Sequence, residues 1–445
     1  MALSGIEIFK HLPKTNCKEC GFPTCLAFAM QLASSKVEVS KCPYVKDETK
    51  AFLEESQAPP IRKVIIGDNF AIGEETVFFR HEKTFVHPPA ICILIKDEEP
   101  KSIWEKKIAS FNNLKFERIG FMLKANLLFL ENSSNLKAKF LELVSYVMKE
   151  SNGLLCLSSE NMDALKAAIE MTKERKPLLY SANQSNIDEI ASIAKEYNLP
   201  IVAKGEDLES LSSLTEKLIS LGIKDIILDS SPKTIKEAFY HQIFIRRQAL
   251  ISKFRPLGFP TIVFPAKLTN DPMKEALYAA TFIVKYGGLI VLSDLAGESL
   301  FPLLVLSLNI YTDPQRPMAI EEKIYEINGP NEKSPICITT NFSLTYFIVQ
   351  GEIDASKVPT YLMIMDTGGL STLTSWSAGK FNGELISAYV KKSKIEEKVS
   401  HRKIIIPGYV AGIKGEIEEE LKTWEVIVGP REASDIPIFL QKFKT

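Results

Sequence analysis

Six times between Gly153 and Leu295 the chain sets down a short apolar run that ends in small or polar residues: GLLCLSS, PLLYSAN, PIVAKG, DIILDSS, PTIVFPAK and GLIVLSDL. Between them lie amphipathic helical stretches such as NMDALKAAIEMTKERK, NIDEIASIAKEYN, DLESLSSLTEKLISLG and DPMKEALYAATFIVKYG. Strands that are apolar throughout need cover on both faces, and strand–helix alternation provides it as a parallel sheet wrapped by helices. Six such units, with one or two blurred ones ahead of them, predict a TIM-type (β/α)8 barrel over residues 93–322 rather than an open sheet. The blurred stretches are VIIGD, TVFFRHEKTFVHPPAICILI and FMLKANLLFL, the middle one reading as a lid or an antiparallel lead-in. Residues 58–92 form the linker and lead-in strands, opening on QAPPIRK, where paired prolines end any helix.

After the Pro-rich connection LVLSLNIYTDPQRP, a shorter α/β block covers residues 323–445. Its strands are PICITTN, TYLMIMD, KIIIPGY and WEVIVGP, alternating with helical FSLTYFIVQGE, GELISAYVKKSKIEEKV and GEIEEELKT. This pattern predicts a small doubly wound, Rossmann-like sheet. The whole is a multi-domain α/β protein, in line with three domains of roughly 150 residues for a chain of this length. A formal net charge of −1 gives no electrostatic footprint for nucleic acid or anionic membrane. No apolar run approaches the ~20 residues of a membrane span. The start, MALSGIEIFKHLP, lacks the basic and apolar regions of a signal peptide, and seven scattered cysteines do not make a secreted disulfide scaffold. A cytoplasmic protein is expected.

Residues 1–57 carry NCKECGFPTC, with Cys17, Cys20 and Cys25 spaced Cys-x2-Cys-x4-Cys, and Cys42 follows in KCPY. Four thiolates close a 4Fe–4S cube, and the helical stretch between Cys25 and Cys42 can return the chain to bring the fourth sulfur back. Gly21 and Pro23 suit a tight loop around a cluster, and Pro43 follows the last cysteine as in many ferredoxin runs. A closed four-thiolate zinc site is the main rival, although zinc ribbons favour two Cys-x2-Cys pairs and only one is present. A thiol–disulfide site is a third reading. Cys92, Cys156 and Cys337 lie inside apolar strands and read as buried, inert thiols.

IEIFKHLPKTNCKECGFPTCLAFA with its partner Cys42, the central barrel, and the stretches DTGGLSTLTSWSAGKF, IIIPGYVAGIKGEIEEEL and VIVGPREASDIPIFL occur in that order along the chain. Together they resemble the large (gamma) subunit of the corrinoid iron–sulfur proteins of the reductive acetyl-CoA, or Wood–Ljungdahl, pathway. The resemblance implies a methyl-carrier subunit rather than a stand-alone enzyme. It implies a cobamide in the C-terminal domain that, as Co(I), accepts a methyl group from methyltetrahydrofolate on a separate methyltransferase. As methyl-Co(III) it would donate that group to the nickel–iron–sulfur cluster of acetyl-CoA synthase/CO dehydrogenase. It also implies a heterodimer with a small subunit against which the cobamide is sandwiched, and a 4Fe–4S cluster that returns Co(II) to Co(I).

Three glycine loops follow predicted strands and should gather at the carboxyl edge of one sheet, where doubly wound folds bind ligands. Gly368 and Gly369 permit close backbone approach, next to Leu370 and the hydroxyls of Ser371, Thr372 and Thr374. Gly408 and Gly412 flank Ala411, and Gly429, Pro430, Arg431, Glu432 and Ala433 make the third loop. Thr340, Asn341, Thr345 and Tyr346 follow the first strand of that domain. Small residues leave room for a broad flat ring, and free N–H groups and hydroxyls suit the amide rim and phosphate of a corrinoid. Plain strand-to-helix turns would account for any one loop alone. None of the five histidines stands in the Asp-x-His-x-x-Gly pattern that ligates cobalt from below, so a base-off cobamide without a protein histidine is expected; His401 reads as solvated.

In the barrel, Asn183, Asp229 and Asp294 fall at strand ends, where barrel enzymes keep catalytic groups. Capping of the following helices is the preferred reading, with the barrel as a docking scaffold. An iron–sulfur oxidoreductase with a nucleotide- or flavin-binding C-terminal domain is the alternative function. It lacks support from a Gly-x-Gly-x-x-Gly fingerprint, which the chain does not contain after any predicted strand.

Overall fold

The computed structural model describes residues 3–34, 36–312 and 317–443. Residues 313–316 of the Pro-rich connection lie outside the described residues. Two compact units result, one of residues 1–116 with 122–311, the other of 312–445 with 117–121.

The first unit begins with helices Gly5–His11, Cys25–Ala33 and Asp47–Gln57 and a 3-10 turn at Val39–Lys41. Ser4 and Glu7 close a reciprocal capping box on the first helix, and the Thr24 hydroxyl accepts from the Ala27 N–H to cap the second. Their shared core is small: Ile8, Phe28, Ala29, Leu32, Val39 and Leu53 are buried, with Cys25 and Cys42 among them. A core of this size is of the kind that a metal or disulfide staple usually supplements.

The barrel expected from the alternation is present. Its strands are β1 (Ala90–Lys96), β2 (Leu127–Glu131), β3 (Leu154–Ser158), β4 (Leu178–Ala182), β5 (Ile201–Lys204), β6 (Ile226–Asp229), β7 (Ile262–Val263) and β8 (Leu289–Leu292). Neighbours pair in parallel from β1 to β6, β8 pairs with both β7 and β1, and a single bridge between Leu228 and Thr261 joins β6 to β7. Alternate side chains divide the work: Ile93, Leu128, Leu157 and Ile226 pack beneath the helices, while Cys92, Phe129, Cys156 and Val202 fill the interior.

The blurred N-terminal stretches resolve differently from one another. VIIGD enters an antiparallel hairpin, Val64–Ile66 with Phe70–Ile72, whose Val64, Ile66 and Ile72 join the barrel's interior core. The hairpin is tied to the amino ends of the strands: the Gly67 N–H donates to the Lys176 carbonyl and the Arg62 N–H to that of Gly258. TVFFRHEKTFVHPP is not a strand; residues 74–89 run irregularly before β1. Glu75 explains why, since its carboxylate accepts from the Val86 N–H and pairs with Arg246 at 3.2 Å, drawing the segment inward instead of along a ladder.

The second unit is a five-stranded sheet of β9 (Lys323–Ile327), β10 (Ile336–Thr340), β11 (Thr360–Met365), β12 (Lys403–Ile406) and β13 (Glu425–Val428), in the spatial order β9-β11-β10-β12-β13. The four strands read from the sequence are parallel, and an antiparallel edge strand, β9, is added beside β11. Helices cover both faces, with Ile386, Tyr389, Val390 and Ile417 packed on one side and Ile353 and Leu440 on the other. Because β11 lies on one side of β10 and β12 on the other, the order of the chain reverses at β10. The crevice at its carboxyl end is the place where such sheets receive ligands. No helix among the described residues is long and apolar enough to cross a membrane.

Candidate functional site

Cys25 opens its helix, at the positive end of the peptide dipoles, where negative charge is favoured. Asn16 clasps it twice: the Asn16 N–H donates to Cys25 Sγ at 3.4 Å, and Asn16 Oδ1 accepts from the Cys25 N–H at 2.8 Å. Asn16, Lys18 and Gly21 all take positive φ, at 49°, 65° and 84°. The left-handed residues bend the loop tightly: the Gly21 N–H closes a turn on the Lys18 carbonyl, and the Asn16 N–H is the one aimed at a cysteine sulfur. Tyr44, just past Cys42, donates its hydroxyl to Glu19 Oε1 at 2.7 Å, which fastens the Cys42 segment to the loop holding Cys17 and Cys20. Cys17 is exposed, Cys20 half-buried, and Cys25 and Cys42 buried; all four are free thiols. Among the described residues no group of three His, Cys, Asp or Glu side chains stands assembled for a metal, so the chain brings the four sulfurs into one small domain without closing them into a ligand set. A thiolate site is usually completed by the metal it binds. The fold therefore fits a cluster by its donors and by the Asn16 N–H directed at Cys25 Sγ.

The other three cysteines are placed as expected. Burial pushes the thiols of Cys92 and Cys156 far up and that of Cys337 up to about 12, so they stay protonated.

At the carboxyl edge of the second sheet the three loops border one apolar cleft of about 930 Å³. Thr372 comes from the first loop, Pro407 and Tyr409 from the second, and Gly429 to Ala433 from the third. The cleft runs down over Cys337, Thr339 and Ile405 between two helices, Ser343–Ser356 and Ile436–Lys442. Thr345, Ile348 and Val349 line it from one helix, and Ile436, Phe439 and Leu440 from the other, both at i, i+3, i+4 spacing. Thr339 and Thr340 are buried, and neither hydroxyl has a hydrogen-bond partner among the described residues. Thr339 lines the cleft, so its hydroxyl is one that a polar ligand could satisfy.

The remaining residues singled out in the sequence differ in their roles. Asn341 organises the first loop: Oδ1 accepts from the N–H groups of Thr367 and Gly369, and Nδ2 donates to Asp366. Gly408 lets two loops touch, since a Cβ there would lie 2.6 Å from the Gly429 carbonyl oxygen. Its N–H donates to the Pro430 carbonyl, and that of Gly429 to Ile406. Ser371 and Thr374 share a hydroxyl contact of 3.0 Å, and Glu432 accepts from the Tyr409 hydroxyl at 2.6 Å. Arg431 is exposed and lines the cleft with Tyr409, while Thr374, Ala411 and Gly412 are exposed on the same loops without lining it. Tyr346, by contrast, is buried against Tyr325 and Phe347 and does not line the cleft. The sequence reading missed Tyr409, Thr339 and the two helix faces, although the latter were visible as apolar i, i+3, i+4 sets.

His401 is not solvated as expected. It is half-buried before β12, with Nε2 3.0 Å from the Ser334 carbonyl and Nδ1 accepting from the Lys403 N–H. It belongs to the amino edge of the sheet, opposite the loops, and it is the only histidine in residues 312–445.

In the barrel, Asn183 makes a local turn, its Oδ1 accepting from the N–H groups of Ser185 and Asn186, and Asp294 pairs with Lys106 at 3.1 Å. Asp229 behaves differently: it is buried, accepting the Tyr180 hydroxyl at 2.7 Å and the Ser231 N–H at 2.8 Å, while Thr234 caps the following helix.

A family model described as "CO dehydrogenase/acetyl-CoA synthase delta subunit" matches residues 63–440, and one described as "Putative Fe-S cluster" matches residues 12–44. The corrinoid/iron-sulfur protein large subunit of Moorella thermoacetica is 43% identical over 442 residues, 99% of this chain and 98% of that protein. The acetyl-CoA decarbonylase/synthase complex subunit gamma of Methanothermobacter thermautotrophicus is 33% identical over 99% of this chain and 99% of its own. Among solved structures, the phospho-2-dehydro-3-deoxyheptonate aldolase of Thermotoga maritima matches 57% of this chain and 74% of its own, at TM-score 0.38 and 14% identity.

Proposed function

The chain belongs to the family of corrinoid/iron–sulfur protein large subunits, whose archaeal members are the gamma subunits of acetyl-CoA decarbonylase/synthase complexes, and on that premise we propose that it is a cytoplasmic methyl carrier of the reductive acetyl-CoA pathway. Residues 323–445 act as a Rossmann-like corrinoid-binding domain, residues 1–57 as the 4Fe–4S domain, and the barrel between them as a scaffold for the small subunit. The observation that carries the reading is the convergence of all three glycine loops on one apolar cleft at the point where the strand order reverses.

A cobamide bound there supplies a cobalt nucleophile able to take a methyl group from methyltetrahydrofolate, on its methyltransferase, and pass it to acetyl-CoA synthase. The chain's own residues hold and shape that site. Asn341 and Asp366 take up the N–H groups of Thr367, Gly368 and Gly369 and so fix the Gly368–Gly369 turn, which leaves the hydroxyls of Thr372, lining the cleft, and of the exposed Thr374 for the ligand rather than free backbone N–H groups. Gly408 keeps the second and third loops in contact, which leaves a small-residue floor for a planar ring. The cleft beneath, walled by Ile348, Val349, Ile436 and Phe439, would hold part of a base-off cobamide, with the Thr339 hydroxyl as a polar contact. The only histidine of residues 312–445 is bound to backbone at the other edge, in keeping with a base-off cobamide that has no lower ligand from this domain.

Cys17, Cys20, Cys25 and Cys42 would hold the cluster, which supplies electrons to recover cobalt that has lost one. The Asn16 N–H donated to Cys25 Sγ is of the kind that tunes such a cluster's potential.

The test is the visible spectrum and metal content of the anaerobically purified protein. Corrin bands with about one cobalt and about four irons per chain are expected for these two cofactors. Flavin bands, or zinc as the only metal, would exclude the carrier. A Cys20→Ala protein should still pass on a methyl group already loaded, yet fail to recover from Co(II) with a protein reductant.

A further inference from the structure

The carboxyl mouth of the barrel, where catalytic barrels place their chemistry, is built from polar side chains that the reading above leaves without a task. One recess there, about 580 Å³, reaches Tyr180, Asp229, Ser231, Lys204 and Lys267, and a wider hollow above it shares Tyr180, Lys204 and Lys267 and extends to Asn132. The floor is aromatic: Phe129, Tyr180 and Phe264 meet edge to face with centroids 5.1–5.5 Å apart. Lys267 is neutralised by Glu131 at 2.9 Å. Lys204, half-buried at the end of β5, has no hydrogen-bond or ion-pair partner among the described residues; its ammonium stands 5.7 Å from the centre of the Tyr180 ring.

Two further groups are unsatisfied, Asn132 in the wider hollow and Ser231 in the recess. Asn132 is 7% exposed, spends its Nδ2 on Ser159, and leaves Oδ1 without a partner. The Ser231 hydroxyl is buried and likewise unpartnered, on a residue held at a positive φ of 47°. Buried polar atoms are rarely left so, and strained backbone clusters at functional sites. The Tyr180 hydroxyl is already given to Asp229, and burial raises the Asp229 carboxyl above its ordinary value, which weakens its hold on the Lys204 charge.

We propose that the barrel mouth binds a small molecule bearing an oxyanion and an adjacent hydroxyl or amine, the oxyanion pairing with Lys204 and the donor reaching Asn132 Oδ1 in the hollow that the two share. The half-buried lysine asks for negative charge, the unpaired carbonyl oxygen asks for a donor, and the aromatic floor admits a short carbon skeleton between them. This site is distinct from the loops of the second sheet and does not depend on their occupant. The oxyanion can be a carboxylate or a phosphate.

Glycerate and glycerol 3-phosphate serve as probes of the two oxyanions, with acetate as the oxyanion alone, on the full-length holoprotein. In the wild-type protein, acylation of Lys204 by an N-hydroxysuccinimide ester, read by peptide mass spectrometry, should be slowed by at least about tenfold at saturating glycerate or glycerol 3-phosphate. Which probe protects identifies the oxyanion. By calorimetry, Lys204→Met should weaken the protecting probe by about tenfold or more and Lys204→Arg should retain it. Asn132→Leu should remove its advantage over acetate. Protection by neither probe, binding unchanged in Lys204→Met, or acetate binding as tightly as both probes would overturn the proposal.

Discussion

Among single residues, Asp229 shows how far a sequence can be read. Its place at a strand end was legible, and capping was the economical reading. What the sequence could not show is that Tyr180, from the strand two places round the barrel, would reach it at 2.7 Å. The partnership is made by the curvature of the sheet across β5, and no local pattern encodes it. Burial raises the Asp229 carboxyl and the Tyr180 hydrogen bond opposes that rise. With the folded value above the unfolded one, the native state holds more protons in between. Stability therefore falls as pH climbs from the ordinary carboxylate value through the raised one, and is flat beyond it. Tyr180→Phe removes the opposing bond, so it should cost about 1.5–3 kcal/mol at neutral pH and move the end of that decline to higher pH. Urea titrations between pH 4 and about pH 8 would read both effects. An unchanged pH profile would mean that the two groups are not coupled.

At the level of elements, periodicity carried most of the information. The barrel strands and the four parallel strands of the second sheet stand where apolar runs predict them. The irregular segment 74–89 does not, because a buried ion pair outranks its β-branched and aromatic composition. Glu75 and Arg246 are buried together, and the guanidinium is also stacked within 4.2 Å of the Tyr286 ring centre and 4.7 Å of that of Phe85. Desolvation raises the Glu75 carboxyl, and the Arg246 charge opposes this. Arg246→Ala leaves a buried carboxylate unpaired and should lose about 3–5 kcal/mol. The double change with Glu75→Gln should recover part of that, which thermal or urea unfolding would measure. The loops follow the same logic of fit. At Gly408 an added Cβ would meet the backbone of Gly429, Pro430 and Arg431 at 2.6–2.8 Å. Gly408→Ala should therefore cost about 1–3 kcal/mol and part the loops, with cobalt retained through gel filtration falling relative to wild type. The glycines themselves were readable; the strand order that brings them together was expected from the fold class, and the apolar cleft beneath them needed the helices in place.

For the whole molecule, two readings of the sequence differ in how much the fold could add. The cysteine spacing already pointed to a thiolate cofactor, and the structure adds the Asn16 N–H donated to Cys25 Sγ. The sequence likewise leads to the expectation of a cobamide without a lower histidine, and the structure adds that His401 is bonded to backbone at the amino edge of its sheet. If the corrinoid is held base-off in this way, the EPR spectrum of the Co(II) protein should show no hyperfine splitting from an axial nitrogen, and His401→Ala should leave it unaltered. The barrel mouth, by contrast, was opaque to sequence, because its groups come from separate strands.

The hairpin of residues 64–72 has one further implication. With Val64, Ile66 and Ile72 seated in the interior at the amino end, the barrel is stoppered below. Its interior is a packed core closed at the amino end, with open space at the carboxyl mouth. Any molecule admitted to its floor leaves by the rim it came in through, so whatever covers that rim governs loading and release alike.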